Sequence, residues 1–390
     1  MLPHTYSWFI AYAQAVLKRG RGMLQSWLGV LVFLQKGKRK MEEHHIYEKM
    51  TIAGQQLGLN VCLINPADVN YRTDKANALI YLPSSQKWTR KWIDIPRFIF
   101  DRCRSFNKNK YGIVRKFRTK YRHLTYLNSP LRNKWIIYNV LHEKPEFRSF
   151  LPTTILFNRA RDIKHMMNRS RMVYVKPVNG TGGRGILRIE HHQKHPAYLF
   201  VEGRDRSRRI IKPQYVKFER LGRYMYTWVK QERFIVQQGI DVKLPNGRVH
   251  DVRMLVQKNE VGLWSLTGMV GRVGARQSVT SNLHGGGQAV PMRTLLERWI
   301  ENRQPIHEIE YQLERSGIQI AKYVEEKYGS LCELALDWAI DKNGRYWLLE
   351  VNPKPSREVF QNVGDEAVYY RAITKPIKYA KWIMTNHNHN

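Results

Sequence analysis

The stretch Val175-Lys176-Pro177-Val178-Asn179-Gly180-Thr181-Gly182-Gly183-Arg184-Gly185 restricts the fold more than any other segment, because four of its last six residues are glycine and apolar runs flank it. A glycine backbone lets N–H groups approach phosphate oxygens that a Cβ would hold off. Lys176, just ahead of the turn, adds a cation for phosphate charge. Gly180, Gly182 and Gly185 satisfy G-x-G-x-x-G, but that pattern means dinucleotide binding only where a helix follows. Here residues 172–175 and 185–189 both read as strands. A Walker loop needs Lys-Ser or Lys-Thr after its last glycine, and a protein kinase needs a lysine after the loop with His-Arg-Asp and Asp-Phe-Gly beyond; none is present. Two readings remain: a hairpin that cradles phosphate, or a tight turn that uses glycine for its geometry alone.

A second signal lies near the C-terminus, where Asp337 is followed by Glu350-Val351-Asn352-Pro353. The runs 333–340 and 346–351 read as a hairpin about Asp341-Lys342-Asn343-Gly344. In a strand, positions i and i+2 share a face, so Glu350 and Asn352 point the same way and Asp337 can face them from across the hairpin. Magnesium takes hard oxygen ligands, commonly one or two carboxylates with phosphate oxygens. The alternative is that each acid is a surface charge. Because the strands are otherwise apolar, the acids are half buried, and a buried carboxylate needs a counter-charge or a metal.

Asp251-Val252-Arg253 puts an acid and an arginine on one face of a strand, suited to a bidentate grip on a phosphoryl group or to a structural ion pair. Ser281-Asn282-Leu283-His284-Gly285-Gly286-Gly287 is a small-residue loop that either lies over a ligand or serves as a connector. His284 has no acid or nucleophile beside it in sequence, so no general-base role is assigned to it.

Elsewhere, a strand over 27–34, a helix over 41–57 and a strand over 60–64 make a βαβ unit, so a parallel sheet opens the chain. Residues 66–130 resist assignment beyond short apolar pieces at 78–82 and 98–100. A helix follows at 134–141, then strands at 233–237 and 249–256 with the turn Pro245-Asn246-Gly247. A long helix over 305–328 carries Ile309, Leu313, Ile320 and Val324 on one stripe, with Gly329 as its stop. Trp8, Tyr12 and Val16, spaced by four, suit an amphipathic helix in 1–22. The four-residue tail 387–390 alternates histidine and asparagine and reads as a frayed end.

The 390 residues carry 66 Lys and Arg against 32 Asp and Glu, a formal charge of +34 that attracts polyanions. Ten basic residues lie between Arg97 and Arg122 against Asp101, and eight between Arg204 and Arg223 against Asp205 and Glu219. Such runs are solvated faces or docking surfaces for an acidic polymer. Tyr, Trp and Phe interleave the first run, as in nucleic-acid binders, but no recognisable nucleic-acid module accompanies them. Cys62, Cys103 and Cys332 are too scattered for a disulfide framework and fit a reducing cytosol. Lys18-Arg19-Gly20-Arg21 and the apolar run 23–34 imitate a signal peptide. That run is about twelve residues, short of the ~18 for a membrane span, and meets Lys36, Lys38, Arg39 and Lys40 without a small-residue cleavage site, so it reads as a strand.

In this order, the lysine, glycine hairpin, strand, Asp-x-Arg strand, asparagine-bearing glycine loop and terminal Glu-x-Asn resemble the ATP-grasp superfamily over residues 131 to about 357. Ile64-Asn65-Pro66-Ala67-Asp68-Val69, Phe100-Asp101-Arg102, Asp337-Trp338-Ala339-Ile340-Asp341 and Trp347-Leu348-Leu349-Glu350-Val351-Asn352 are similar to the YheC/YheD family of endospore coat-associated proteins. The resemblance implies an α/β chain with a parallel α/β domain over 23–130 and two ATP-grasp subdomains, 131–240 with the glycine hairpin and 241–390 with the magnesium site, enclosing a nucleotide cleft; the N-terminal amphipathic extension over 1–22 and the basic segments are not part of its motif set. It implies ATP and magnesium as cofactors. Lys134 and Lys176 would meet the phosphates with Gly180, Thr181, Gly182, Gly183 and Gly185. Gln237, Gln238 and Ile240 would hold adenine, Arg253 and Asn282 would act at the γ-phosphate, and Asp337, Glu350 and Asn352 would hold the metal. The implied activity is a carboxylate–amine ligase working through an acyl phosphate, in the cytoplasm of the mother cell or on the spore coat. The alternative is a catalytically silent coat protein that binds ATP or an anionic polymer.

Overall fold

The computed structural model describes residues 26–34, 43–104, 108–131, 133–180, 182–229, 232–283, 285–301 and 305–386. The helix expected in 1–22, the basic run 36–40 and the tail 387–390 lie outside the described residues. The described residues group into two compact units, Leu127–Tyr379 and the remainder.

In the first unit, β1 (Trp27–Leu31) and β2 (Asn60–Ile64) pair in parallel with α1 (His44–Gln56) between them in sequence, the expected βαβ unit. Both strands are buried after their first residue, as strands covered on two faces must be. Then come β3 (Val69–Asn70), β4 (Lys75–Leu82), β5 (Lys87–Asp94), β6 (Phe98–Asp101), α2 (Lys108–Lys120) and β7 (Thr125–Tyr126). The sheet order is β3-β4-β2-β1-β6-β7, with β5 pairing β4 in an antiparallel hairpin. That hairpin hid in the sequence because β5 exposes six of its eight residues and half-buries only Trp88 and Ile93, leaving no alternation to read. Part of the basic run from Arg97 is committed to structure: Arg102 and Arg104 both reach Glu43, and Arg118 reaches Asp101. Cys62, Cys103 and Cys332 are all buried.

The second unit begins with α3 (Lys134–Glu143), β8 (Thr154–Phe157), α4 (Ala160–Met167), β9 (Met172–Pro177), β10 (Ile186–His191), β11 (Tyr198–Arg204), β12 (Ile210–Lys217), α5 (Leu221–Val229) and β13 (Phe234–Gln238). Its strands form one antiparallel sheet, β12-β11-β10-β9-β13-β8. Ile163 and Met166 of α4 and Leu221 and Met225 of α5 pack with Val173, Leu187 and Val236 in its core. Next are β14 (His250–Lys258), β15 (Trp264–Val273), β16 (Gln288–Val290), α6 (Met292–Trp299), α7 (Ile306–Tyr328), β17 (Glu333–Ile340), β18 (Tyr346–Asn352) and α8 (Glu366–Asn386). The second sheet runs β16-β15-β14-β17-β18. The expected stripe of α7, Ile309, Leu313, Ile320 and Val324, is buried with Met254 and Leu336 in one core.

Strand β17 is buried along its whole length, so its two carboxylates, Glu333 and Asp337, need partners. Glu333 pairs with Arg357, both fully buried, and also accepts from Gln257 Nε2 at 3.2 Å. Asp337 turns toward the glycine-bearing sheet. In the β17–β18 ladder Asp337 faces Glu350, but Trp338 faces Leu348, leaving Leu349 as an extra residue in a bulge. No helix among the described residues is long and apolar enough to cross a membrane.

Candidate functional site

Backbone register alone aligns a row of charges across three strands: Arg253 of β14 lies opposite Asp337 of β17, which lies opposite Glu350 of β18. Asp251, two residues before Arg253, lies opposite Arg272 of β15. The side chains complete a network. Asp337 accepts from Arg253 Nε at 2.9 Å and Nη2 at 2.8 Å, and Arg272 Nη2 lies 3.0 Å from the same carboxylate. Arg272 also grips Asp251 through Nε at 2.7 Å and through Nη2, and Asp251 accepts from Ser281 Oγ. Burial opposes the charge on Asp337, but Arg253 and Arg272 outweigh it and hold the carboxyl well below the usual carboxylate range. Burial likewise opposes the charge on Arg272, and Asp251 and Asp337 hold its pKa up.

The opposite wall comes from the six-stranded sheet. Lys176 Nζ donates to Gln237 Oε1 at 2.6 Å, and Gln237 Nε2 donates to Thr154 Oγ1 at 3.1 Å, so the amide is fixed from both ends. Burial pushes the Lys176 ammonium down to about 8, with Glu350 opposing that shift and Lys134 adding to it. Asn133 caps α3 by accepting from Ile136 N at 3.1 Å, which places Lys134 at the helix start. Lys134 Nζ then reaches Glu350 Oε1 at 2.8 Å and the carbonyl of Gly180. Gly183 closes the top: a Cβ there would lie 2.7 Å from Asn282 Nδ2 and 2.8 Å from Thr280 Oγ1.

The cavity between these walls measures about 100 Å³, smaller than the ~300 Å³ of a typical small-molecule site. Lys134, Lys176, Gly180, Gly182, Gly183, Gln237, Gln238, Ile240, Asn282, Asp337 and Glu350 all line this one cavity. Its other end is apolar, with Ile240, Val242, Val249 and Ala339 in one buried cluster beside Leu349. Gly185, Arg253 and Asn352 are not among the lining residues. The Arg253 guanidinium is committed to Asp337, and Asn352 Nδ2 donates to Asp337 Oδ2 at 3.4 Å. Thr181 and His284 lie outside the described residues. Sequence reasoning missed Arg272, although an arginine between Gly271 and Val273 near the end of an apolar strand was a signal of the kind already used for Asp337.

Asp337 and Glu350 lie opposite each other on β17 and β18 and line the cavity, a pair of hard carboxylate donors of the kind magnesium takes with phosphate oxygens, whereas Asn352 does not line it and turns its amide nitrogen to Asp337. Among the described residues no group of three or more His, Cys, Asp or Glu side chains is placed to hold a metal ion. Asp337 and Glu350 are each partnered by protein cations, so a divalent ion would exchange with Lys134 and the arginines rather than enter a bare site.

Among solved structures, the chain is similar to the ATP-grasp ligase PsnB complexed with a minimal precursor, with a TM-score of 0.52 at 12% identity, covering 92% of this chain and 98% of that one. It is also similar to D-cycloserine synthetase DcsG, with a TM-score of 0.50 at 10% identity, covering 90% and 99%. At such identities these likenesses establish the ATP-grasp fold. Among characterised sequences, it is 25% identical over 338 residues to the endospore coat-associated protein YheC of Bacillus subtilis (strain 168), spanning 85% of this chain and 90% of YheC. It is 22% identical over 346 residues to YheD of the same organism, spanning 86% and 73%. The model of YheC/D-like ATP-grasp proteins matches residues 123–383, and the chain belongs to that family.

Proposed function

We propose that this chain binds ATP with magnesium in the cavity and uses it to activate a carboxylate as an acyl phosphate, which an amine or similar nucleophile then attacks, in the service of spore coat formation. The observation that carries the reading is the convergence of Lys134, Lys176 and Arg272 with Asp337 and Glu350 on a single cavity beneath a glycine turn. We read 131–240 and 241–390 as the two ATP-grasp subdomains and 23–130 as the domain that precedes them.

Adenine would lie at the apolar end, against Ile240, Val242, Val249 and Ala339, with the strand at Gln237 and Gln238 along its edge. Lys134 and Lys176 would take the phosphates with the N–H groups of the glycine turn. Asn282, against Gly183, would lie beside the γ-phosphate. Arg253 would work through Asp337, fixing that carboxylate, while Arg272 presents positive charge to the cavity itself. Asp337, Glu350 and Asn352 would hold magnesium, whose chemistry is to neutralise charge developing on the transferring phosphoryl group. In the first step the substrate carboxylate oxygen bonds to the γ-phosphorus as the bond to ADP breaks. In the second, the nucleophile bonds to the acyl carbon as inorganic phosphate leaves, and its proton passes to solvent. The glycine turn, seated over the cavity, would shield the acyl phosphate from hydrolysis.

The test is release of ADP and phosphate on incubation with ATP, magnesium, candidate acids and amines. Glu350→Ala should abolish release; turnover indifferent to that change rules the assignment out. A second reading, a silent coat protein that binds ATP or an acidic polymer, is favoured by the +34 charge and by relatives named as coat-associated. Salt-dependent binding to an acidic polymer with no acyl phosphate trapped by hydroxylamine would select it.

A further inference from the structure

An arginine outside the cavity lining is built into the hold on the glycine turn. The tip between β11 and β12 reads Arg204-Asp205-Arg206-Ser207-Arg208-Arg209. Asp205 uses its carboxylate within the tip, accepting from Ser207 N at 2.8 Å, Arg209 N at 2.9 Å and Arg209 Nε at 2.7 Å. Arg206 pairs with Glu232. Arg204 does neither. It is 3% exposed, and its guanidinium donates to neutral oxygens: Nε and Nη2 to Arg208 O at 3.2 and 3.1 Å, and Nη1 to Thr280 Oγ1 at 3.3 Å. The first two bonds pin the tip to itself. The third crosses from the six-stranded sheet to the segment that follows β15.

Close approaches show how tightly these segments meet. A Cβ on Gly285 would lie 2.0 Å from Arg204 Nη2, and one on Gly182 would lie 3.0 Å from Arg208 Nη2. Gly185 N donates to Asp205 O at 3.2 Å, so the tip is also bonded to the glycine turn. Arg208 sits at φ 67°, a left-handed conformation that a residue with a side chain keeps only where its surroundings enforce it. Burial lowers the Arg204 pKa, and Coulombic attraction from Asp205 does not offset it, so the guanidinium is held there by hydrogen bonds to neutral oxygens at a cost in desolvation.

We infer that Arg204 is a positioning residue that fastens the β11–β12 tip to Thr280 and so holds the glycine turn against Thr280 and Asn282 at the edge of the cavity. The inference rests on the proposed function for its purpose, but not for its geometry. Arg204 does not line the cavity itself; it acts through its bond to Thr280, which does, and through the contacts of Gly183 with Thr280 and Asn282.

The test compares amide hydrogen exchange in the full chain and in Arg204→Ala, Arg204→Lys and Thr280→Val. In Arg204→Ala, exchange at 182–187 and 278–283 should accelerate about tenfold, with β14 and β17 unchanged. Thr280→Val should give a smaller change at the same two segments. Arg204→Lys should restore little, because one ammonium cannot replace a fork that serves both Arg208 O and Thr280 Oγ1. Release of a fluorescent ATP analogue, followed by stopped flow, should quicken by a similar factor. If the chain binds no nucleotide the proposed function fails, while exchange still decides the role of Arg204. Unchanged exchange at both segments in folded Arg204→Ala, or uniformly faster exchange that includes β17, overturns the inference.

Discussion

Lys134 Nζ lies 2.8 Å from Glu350 Oε1, joining the start of a helix to the last strand of a sheet across 216 positions of sequence. The same ammonium holds the Gly180 carbonyl, so one side chain connects strand β18 to the glycine turn. Lys134→Ala should weaken binding of a fluorescent ATP analogue about 10- to 100-fold, the range for losing hydrogen bonds to a charged group. Titration with the wild type alongside measures it, and unchanged affinity would remove Lys134 from the phosphate site.

Arg272 bridges Asp251 and Asp337 from almost complete burial. Arg272→Met leaves two buried carboxylates short of their shared counter-charge and should lower unfolding stability by about 3–5 kcal/mol. Arg272→Lys keeps the charge but loses the fork and should fall between. Chemical denaturation of the three proteins tests the order.

Because burial holds Lys176 at about 8, part of its population is deprotonated in mildly alkaline solution. An arriving triphosphate favours the ammonium and raises its pKa again, so binding near pH 8 to 9 should take up a proton. Calorimetric titration in two buffers of different ionisation enthalpy should give different apparent binding enthalpies. In Lys176→Met that difference should shrink toward zero.

The buried Glu333–Arg357 pair lies away from the cavity lining. Glu333→Gln should destabilise by about 3–5 kcal/mol, whereas Glu333→Leu with Arg357→Met should recover much of the loss, because both charges then leave the interior together. Thermal melts would show whether the double variant lies above the single one.

Much of this arrangement was legible from residue spacing. Asp337 and Glu350 were readable as a facing pair because acids interrupted apolar strands joined by an Asp-Lys-Asn-Gly turn, and the register puts them opposite each other, whereas Asn352 falls outside the cavity lining. The parallel start was readable from two short apolar runs around a helix. The β4–β5 hairpin was not, since an edge strand of Lys, Arg and Trp buries too little to show a period. Nor was the division of labour between two arginines. Arg253 and Arg272 both emerge toward the same acid, and which one faces the cavity depends on the pairing of β14 with β15 and β17, a long-range property. Arg204 was counted only as one charge in a basic run, because its role depends on Thr280, 76 positions away.

The surplus residue at Leu349 has a consequence for how the cavity can change. In an unbroken ladder, neighbours along a strand look to opposite sides, yet Leu349 and Glu350 both reach this cavity, one at its greasy end and the other among the cations. Shortening β18 by that single position would restore plain alternation and force either the acid or the leucine to face away. The apolar end of the cavity and its charged end are thus geared to one another through a kink in the main chain, and neither can be retuned by an insertion or deletion there without disturbing the other.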